Sequence, residues 1–262
     1  MESRIEIVSS HYNSCDEDGR LDRSRHGQME YFTTMHYIHR FLTPGAKVLE
    51  LGAGTGRYSV ALAKEGMDVT AVELVEHNLE ILRENAKGID NLRAFQGDAT
   101  DLGRFPDDTF DLTLVLGPMY HLYEQEDVRR AIDEAIRVTR SGGVLFFAFL
   151  SAYAILYNNY FQGNWRFGQN ENFTKDGKVR HYKEQLFTGY DVTEFEQLFK
   201  DKPVEYITTV GTNGILESIE ERKDFELSDA DFEAFADWYL KFAEKRELLG
   251  TTCHLLYICR KI

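Results

Sequence analysis

The chain has 262 residues, 43% hydrophobic and 28% charged, a balance that fits a soluble globular protein with one large core. Its formal charge of −14 disfavours a nucleic-acid phosphate backbone as partner, because such binding normally rests on a basic surface. Cys15, Cys253 and Cys259 have no zinc-type spacing, so no metal is expected, and the most apolar run, 144–157, is only 14 residues long, too short to span a bilayer. With no signal-type apolar run at the N-terminus, the expectation is a reduced, cytoplasmic enzyme without a membrane partner.

Residues 1–27 are polar and charged, with a loop expected at Asp16-Glu17-Asp18-Gly19. From Gln28 the apolar set Tyr31, Met35, Ile38, Phe41 and Leu42 has helical spacing, and Thr43-Pro44-Gly45 stops it. The other ring-bearing residues of this helix, Phe32, His36, Tyr37 and His39, are pocket candidates, although rings at helical spacing more often pack. Residues 1–43 therefore form an N-terminal helical extension.

The next stretch organises the chain. Val48-Leu49-Glu50-Leu51 is an apolar strand that runs into Gly52-Ala53-Gly54-Thr55-Gly56 and then into a helical pattern at Tyr58, Ala61 and Leu62. Strand, glycine turn and helix in that order make a ligand site, since the turn admits a close approach and the helix start offers free N–H groups. Counting from Gly52, Arg57 stands where a dinucleotide fingerprint needs its third glycine, so a pyrophosphate is disfavoured. A P-loop is absent. Glu50 would repel a phosphate but suits a ligand bearing an amino cation.

A second strand ends in an acid at Val69-Thr70-Ala71-Val72-Glu73, followed by Leu74 and a helix over 76–87. A third strand, 92–96, turns at Gly97-Asp98-Ala99, and a fourth runs from Phe110 to Leu116. Residues 126–139 are amphipathic, and Ser141-Gly142-Gly143 turns into an apolar fifth strand beginning at Val144. Such alternation predicts a parallel sheet covered on both faces, with ligands at the carboxyl ends of its strands.

The spacing E-x-G-x-G-x-G, followed by acids at Glu73 and Asp98, resembles the class I S-adenosylmethionine-dependent methyltransferases over about residues 42–150. The resemblance implies an α/β fold with a doubly wound, mostly parallel seven-stranded sheet and an antiparallel last strand. It implies S-adenosyl-L-methionine as donor, with S-adenosyl-L-homocysteine as product. The implied donor-binding set is Glu50, Gly52, Ala53, Gly54, Gly56, Glu73, Leu74, Asp98, Ala99 and Leu116. In this reading Glu73 accepts from the ribose hydroxyls and Asp98 takes the adenine amino group. Either acid could instead cap the element that follows it.

After the fourth strand, Gly117-Pro118-Met119-Tyr120 faintly resembles the [Asp/Asn]-Pro-Pro-[Tyr/Phe] loop of amino-group methyltransferases, but departs from it at Gly117 and Met119. His121 and Tyr120 lie where the transferred methyl is expected, His121 as proton acceptor or orienting group and Tyr120 as a wall. Residues 151–189 break the alternating pattern with many aromatics, as a lid or a packing insertion would. Residues 190–262 supply a helix at 190–200, a strand at 204–210, a helix at 228–246 and a last strand at 251–260. With the donor-binding core at 44–150, this makes a single methyltransferase domain. The functional expectation is methyl transfer to a small-molecule acceptor, with an RNA or protein methyltransferase, or a non-catalytic binding module, as alternatives. The oligomeric state is not readable.

Overall fold

The computed structural model describes residues 3–161, 163–182 and 185–262. Among these, the sheet has a seven-strand path in the order β3-β2-β1-β4-β5-β8-β7, with the two-residue β6 pairing beside β5. The strands are β1 (Lys47–Leu51), β2 (Asp68–Glu73), β3 (Leu92–Gln96), β4 (Phe110–Val115), β5 (Thr139–Ser151), β6 (Gly189–Tyr190), β7 (Val204–Gly211) and β8 (His254–Lys261). All pairings among β1 to β6 are parallel, while β8 runs antiparallel to both β5 and β7. The fold is therefore the expected α/β sheet, with one short strand more than the seven expected.

Side-chain alternation builds two cores. On β5, Val144, Phe146, Ala148 and Leu150 enter one apolar cluster together with α2 (Arg25–His39), α3 (Arg57–Lys64) and α10 (Asp229–Tyr239). Leu145, Phe147 and Phe149 enter the other, against α5 (Gln125–Val138) and Phe195 of α8 (Val192–Gln197). A strand buried on both faces reads as a continuous apolar run, which is how 144–150 appears in the sequence. Phe149 stacks on Phe195 with ring centres 4.0 Å apart, and Phe199 on Tyr257 at 4.2 Å.

Four elements depart from the sequence expectation. Residues 4–12 form a helix, α1 (Arg4–Tyr12), which starts with a capping box: Ser3 Oγ accepts from Glu6 N, and Glu6 Oε2 accepts from Ser3 N at 2.6 Å. The glycine turn at 141–143 lies inside β5, where the register against β4 jumps from Phe110↔Thr139 to Leu112↔Val144 and bulges out the intervening residues. The insertion after β5 is helical, with α6 (Ala152–Tyr160) and α7 (Trp165–Asn172). The helix expected over 228–246 ends at Tyr239 and gives way to tight turns, beyond which the Ala243 carbonyl accepts from Gly211 N at 2.9 Å. The remaining helices are α4 (Glu76–Asn85), α9 (Leu216–Ile219) and α11 (Arg246–Leu249). No helix among the described residues is long and apolar enough to cross a membrane.

Candidate functional site

One cavity of about 660 Å³ opens at the carboxyl ends of β1, β2, β3 and β4. That lies within the size range of small-molecule sites. Its floor is the glycine turn. Gly52 has φ +70°, and a Cβ there would meet Pro118 Cδ at 2.7 Å, so only glycine lets the turn after β1 pass under the turn after β4. Gly54 N donates to Glu73 Oε2 at 2.7 Å and Val75 N to Glu73 Oε1 at 2.9 Å, so the acid ending β2 braces the loop. Each carboxylate oxygen keeps a further lone pair for a ligand hydroxyl. Burial raises the Glu73 pKa, and the same backbone donors oppose that rise.

Of the twelve residues expected to form the site, eleven line this cavity: Glu50, Gly52, Ala53, Gly54, Glu73, Leu74, Asp98, Ala99, Leu116, Tyr120 and His121. Gly56 does not. It starts α3 at φ +90°, and a Cβ there would press on Leu82 Cγ at 2.9 Å, so it serves the packing of α3 against α4. Glu50 is fully buried, accepts from Ser59 Oγ, and is pushed by burial up to about 8. Without a cation beside it, this group holds its proton at neutral pH, so it is not the standing anion that the sequence suggests. Asp98 is engaged by Arg4 of α1 and accepts from Thr100 N and Oγ1 at 3.0 Å each.

His121 sits on a short 3-10 turn, Pro118–His121, and is buried. Its Nδ1 bonds the Leu186 carbonyl at 2.7 Å, which fixes the N–H on that nitrogen, and Nε2 then accepts from Tyr12 OH at 3.1 Å. Burial pushes the ring down to about 4, so it is neutral at pH 7. Sequence reading missed these contacts, because Tyr12 lies in an unpredicted helix and Leu186 in the insertion.

The cavity continues away from the glycine turn to a polar end built from distant parts of the chain. Arg20 grips buried Glu30 through both carboxylate oxygens at 3.1 Å, and its Nε donates to Glu17 at 2.8 Å. His254, at the start of β8, lies beside Glu217 and Cys253, and all three line the cavity. Tyr160, Glu171, Tyr182 and Gln185 of the insertion form another wall, so part of 151–189 faces the cavity. Most of its aromatics do not: Tyr157, Phe161, Trp165 and Phe167 are exposed, while Phe173 stacks on Tyr153. Nor do Phe32, His36, Tyr37 or His39 of α2 line it.

The fit of an amino acid-nucleoside can be judged from the walls themselves. Buried Asn78 Oδ1, in the first turn of α4 at the cavity edge, has no hydrogen-bond partner, and Glu73 faces the same space with spare lone pairs. An orphaned buried acceptor is normally answered by a donor, here one from a bound molecule or water.

Comparisons with known proteins agree with this geometry. The family described as "Methyltransferase domain" matches residues 48–143. The chain is similar to a demethylmenaquinone methyltransferase of Clavibacter sepedonicus, at 38% identity over 38% of this chain and 39% of the relative. It is also similar to a glycine/sarcosine N-methyltransferase of Parasynechococcus marenigrum, at 34% identity over 42% of this chain and 40% of the relative. The chain thus spans about two fifths of the length of these curated relatives. In fold it matches the geranyl diphosphate C-methyltransferase of Streptomyces coelicolor, solved with S-adenosyl-L-homocysteine, with a TM-score of 0.64, 14% identity, and coverage of 100% of this chain and 99% of that one. Residues 48–143 thus carry a methyltransferase domain, and the sheet order and glycine turn give the chain the fold of the class I, Rossmann-like S-adenosylmethionine-dependent methyltransferases.

Proposed function

We propose that the protein transfers a methyl group to a small-molecule acceptor held at the polar end of the cavity. The observation that carries this reading is the continuity of the cavity from the glycine turn to the Arg20, Glu217 and His254 end. A single continuous space lets two small molecules meet, and the chain's negative charge suits neither RNA nor DNA. When bound, S-adenosyl-L-methionine supplies an activated methyl on a sulfonium. The chain's own work is then alignment and exclusion of water.

In this proposal Gly52, Ala53 and Gly54 give the close floor, and Glu73 accepts from the ribose hydroxyls. Leu74, Asp98 and Ala99 hold the adenine, Leu116 flanks the methionine part, and Glu50 answers the amino group. Arg4 must share or yield Asp98. Tyr120 walls the acceptor. His121, neutral and held by Leu186, orients the acceptor through Nε2 once Tyr12 gives up that lone pair, rather than storing a proton at neutral pH. The three free thiols suit a reduced, cytoplasmic setting.

The test is incubation of the full chain with isotopically labelled donor and fractionated metabolite extract. A labelled low-mass product supports the reading. Label confined to RNA or protein, or donor binding without transfer to any fraction, overturns it.

A further inference from the structure

At the polar end of the cavity, Cys253, His254 and Glu217 each offer one donor atom, and these atoms all lie within 4.8 Å of one another. His254 Nδ1 stands 3.3 Å from Glu217 Oε2. A tetrahedral ion with bonds of about 2.0–2.3 Å keeps its donors about 3.3–3.6 Å apart, so the imidazole–carboxylate spacing already matches an ion between them.

The surrounding contacts match as well. A ligating histidine usually turns its other ring N–H to a carboxylate, and here Glu30 Oε2 stands 3.8 Å from His254 Nε2, an ion-pair contact longer than a hydrogen bond. Glu30 is itself fixed by the two-point grip of Arg20. Asn213 Nδ2 donates to Glu217 Oε2 at 2.9 Å and lies 3.1 Å from His254 Nδ1, a contact that an ion would displace, while buried Asn213 Oδ1 accepts from Thr252 Oγ1 at 2.7 Å. With an ion in place the charges would balance too: the Glu217 carboxylate and a Cys253 thiolate would offset its two positive charges beside a deprotonated His254 ring, while Arg20 is committed to Glu17 and Glu30.

We propose that Glu217, Cys253 and His254 form a zinc-type divalent metal site in the wall of the cavity, with its fourth coordination position open to the cavity. Sulfur, imidazole and carboxylate donors together select zinc over magnesium or calcium, which take oxygen ligands. Loading releases two protons to solvent, that of the Cys253 thiol and that on the His254 nitrogen facing Glu217, so uptake strengthens as pH rises. The open position accepts water, or a thiolate, alkoxide or carboxylate of a bound molecule. The site stands whether or not the methyl-transfer reading holds, since its donors and its test involve neither methyl donor nor acceptor.

The experiment is titration of the chelator-stripped full chain with Co²⁺ alone, followed by competition with Zn²⁺. One cobalt per chain is expected, with a thiolate-to-cobalt charge-transfer band that Zn²⁺ abolishes. C253S should remove that band, and C253S and H254Q should each weaken binding by at least about 100-fold, beyond the 10- to 100-fold cost of losing an outer contact. E217Q, at a partly exposed position, should keep the band and bind more weakly, while C15S should change neither. Absence of cobalt absorption in the wild-type chain overturns the site, leaving His254 and Glu217 as an ion pair only. So does a band that survives C253S or disappears in C15S. If C253S or H254Q fails to fold by circular dichroism, the wild-type titration with E217Q and C15S still decides.

Discussion

The glycine-turn end of the cavity takes Glu50, Gly52, Glu73 and Asp98 from the ends of three neighbouring parallel strands, all within residues 50–98. The opposite end gathers Arg20, Glu30, Glu217 and His254 from the segment before α2, from α2, from α9 and from β8. The first is set by backbone shape, through a glycine at positive φ and an acid bracing two amides. The second is set by side-chain charge, with a buried acid neutralised by a guanidinium from ten residues away in sequence and a histidine from the far end of the chain. A site of the first kind leaves a spacing in the sequence. A site of the second kind leaves only scattered polar residues.

The largest effect that sharpens this contrast is a pH dependence at the glycine-turn end. Folded Glu50 titrates at about 8 against 4.5 when unfolded, so the fold holds a proton that the unfolded chain has released. Stability from this group is therefore full below pH 4.5 and is lost as pH rises through about 8, by up to about 5 kcal/mol. Glu50→Gln should flatten that slope in denaturant melts at pH 5 to 9, and an unchanged slope would show that Glu50 ionises freely. Next, Arg20→Ala should destabilise by about 3 kcal/mol, the low end for a broken buried pair because the guanidinium is partly exposed. Donor affinity per folded molecule should survive, and its loss would mean that the two ends are not separate.

Gly52→Ala should cost about 2 kcal/mol of stability, from an alanine at positive φ and a clash with Pro118, and should weaken S-adenosyl-L-homocysteine binding in calorimetry. Glu73→Ala should leave the melt closer to wild type but weaken the same binding by about 1 to 3 kcal/mol. Unchanged affinity there would assign Glu73 to loop bracing alone. The smallest effect is expected for Arg4→Ala, which frees Asp98. Affinity should rise by under about 1 kcal/mol, as for most partly exposed ion pairs, and a fall would give Arg4 a direct role in holding the ligand.

The sheet was legible in the sequence because strands buried on both faces read as apolar runs, as at 110–116 and 144–150, and because the turns between them carry glycine or an acid. The glycine-turn end was legible for the same reason, apart from Gly56, whose spacing cannot say whether a glycine faces a ligand or a neighbouring helix. The covering helix α1 had a readable signal in Ser3-Arg4-Ile5-Glu6, a capping box whose weak apolar stripe hid it. The polar end was not legible. Glu30 and His36 look alike on a helix whose partners are unknown, yet one is buried against Arg20 and the other points away from the cavity. Cys253-His254 is two residues with no motif, and only the pairing of His254 with Leu150 across β8 and β5 sets it at the ligand end of the sheet.

That antiparallel pairing also sets an order of assembly. β1 to β5 can pair from residues 47–151 alone, so the glycine turn gains its floor while the rest of the chain is still being made. β8 closes a loop of over a hundred residues onto β5, and such non-local pairings form late. A nascent chain emerging from the ribosome therefore completes the glycine-turn end of the cavity well before the chamber opposite it exists. Pulse-labelled hydrogen exchange during refolding should find β1 and β4 amides protected before those of β8.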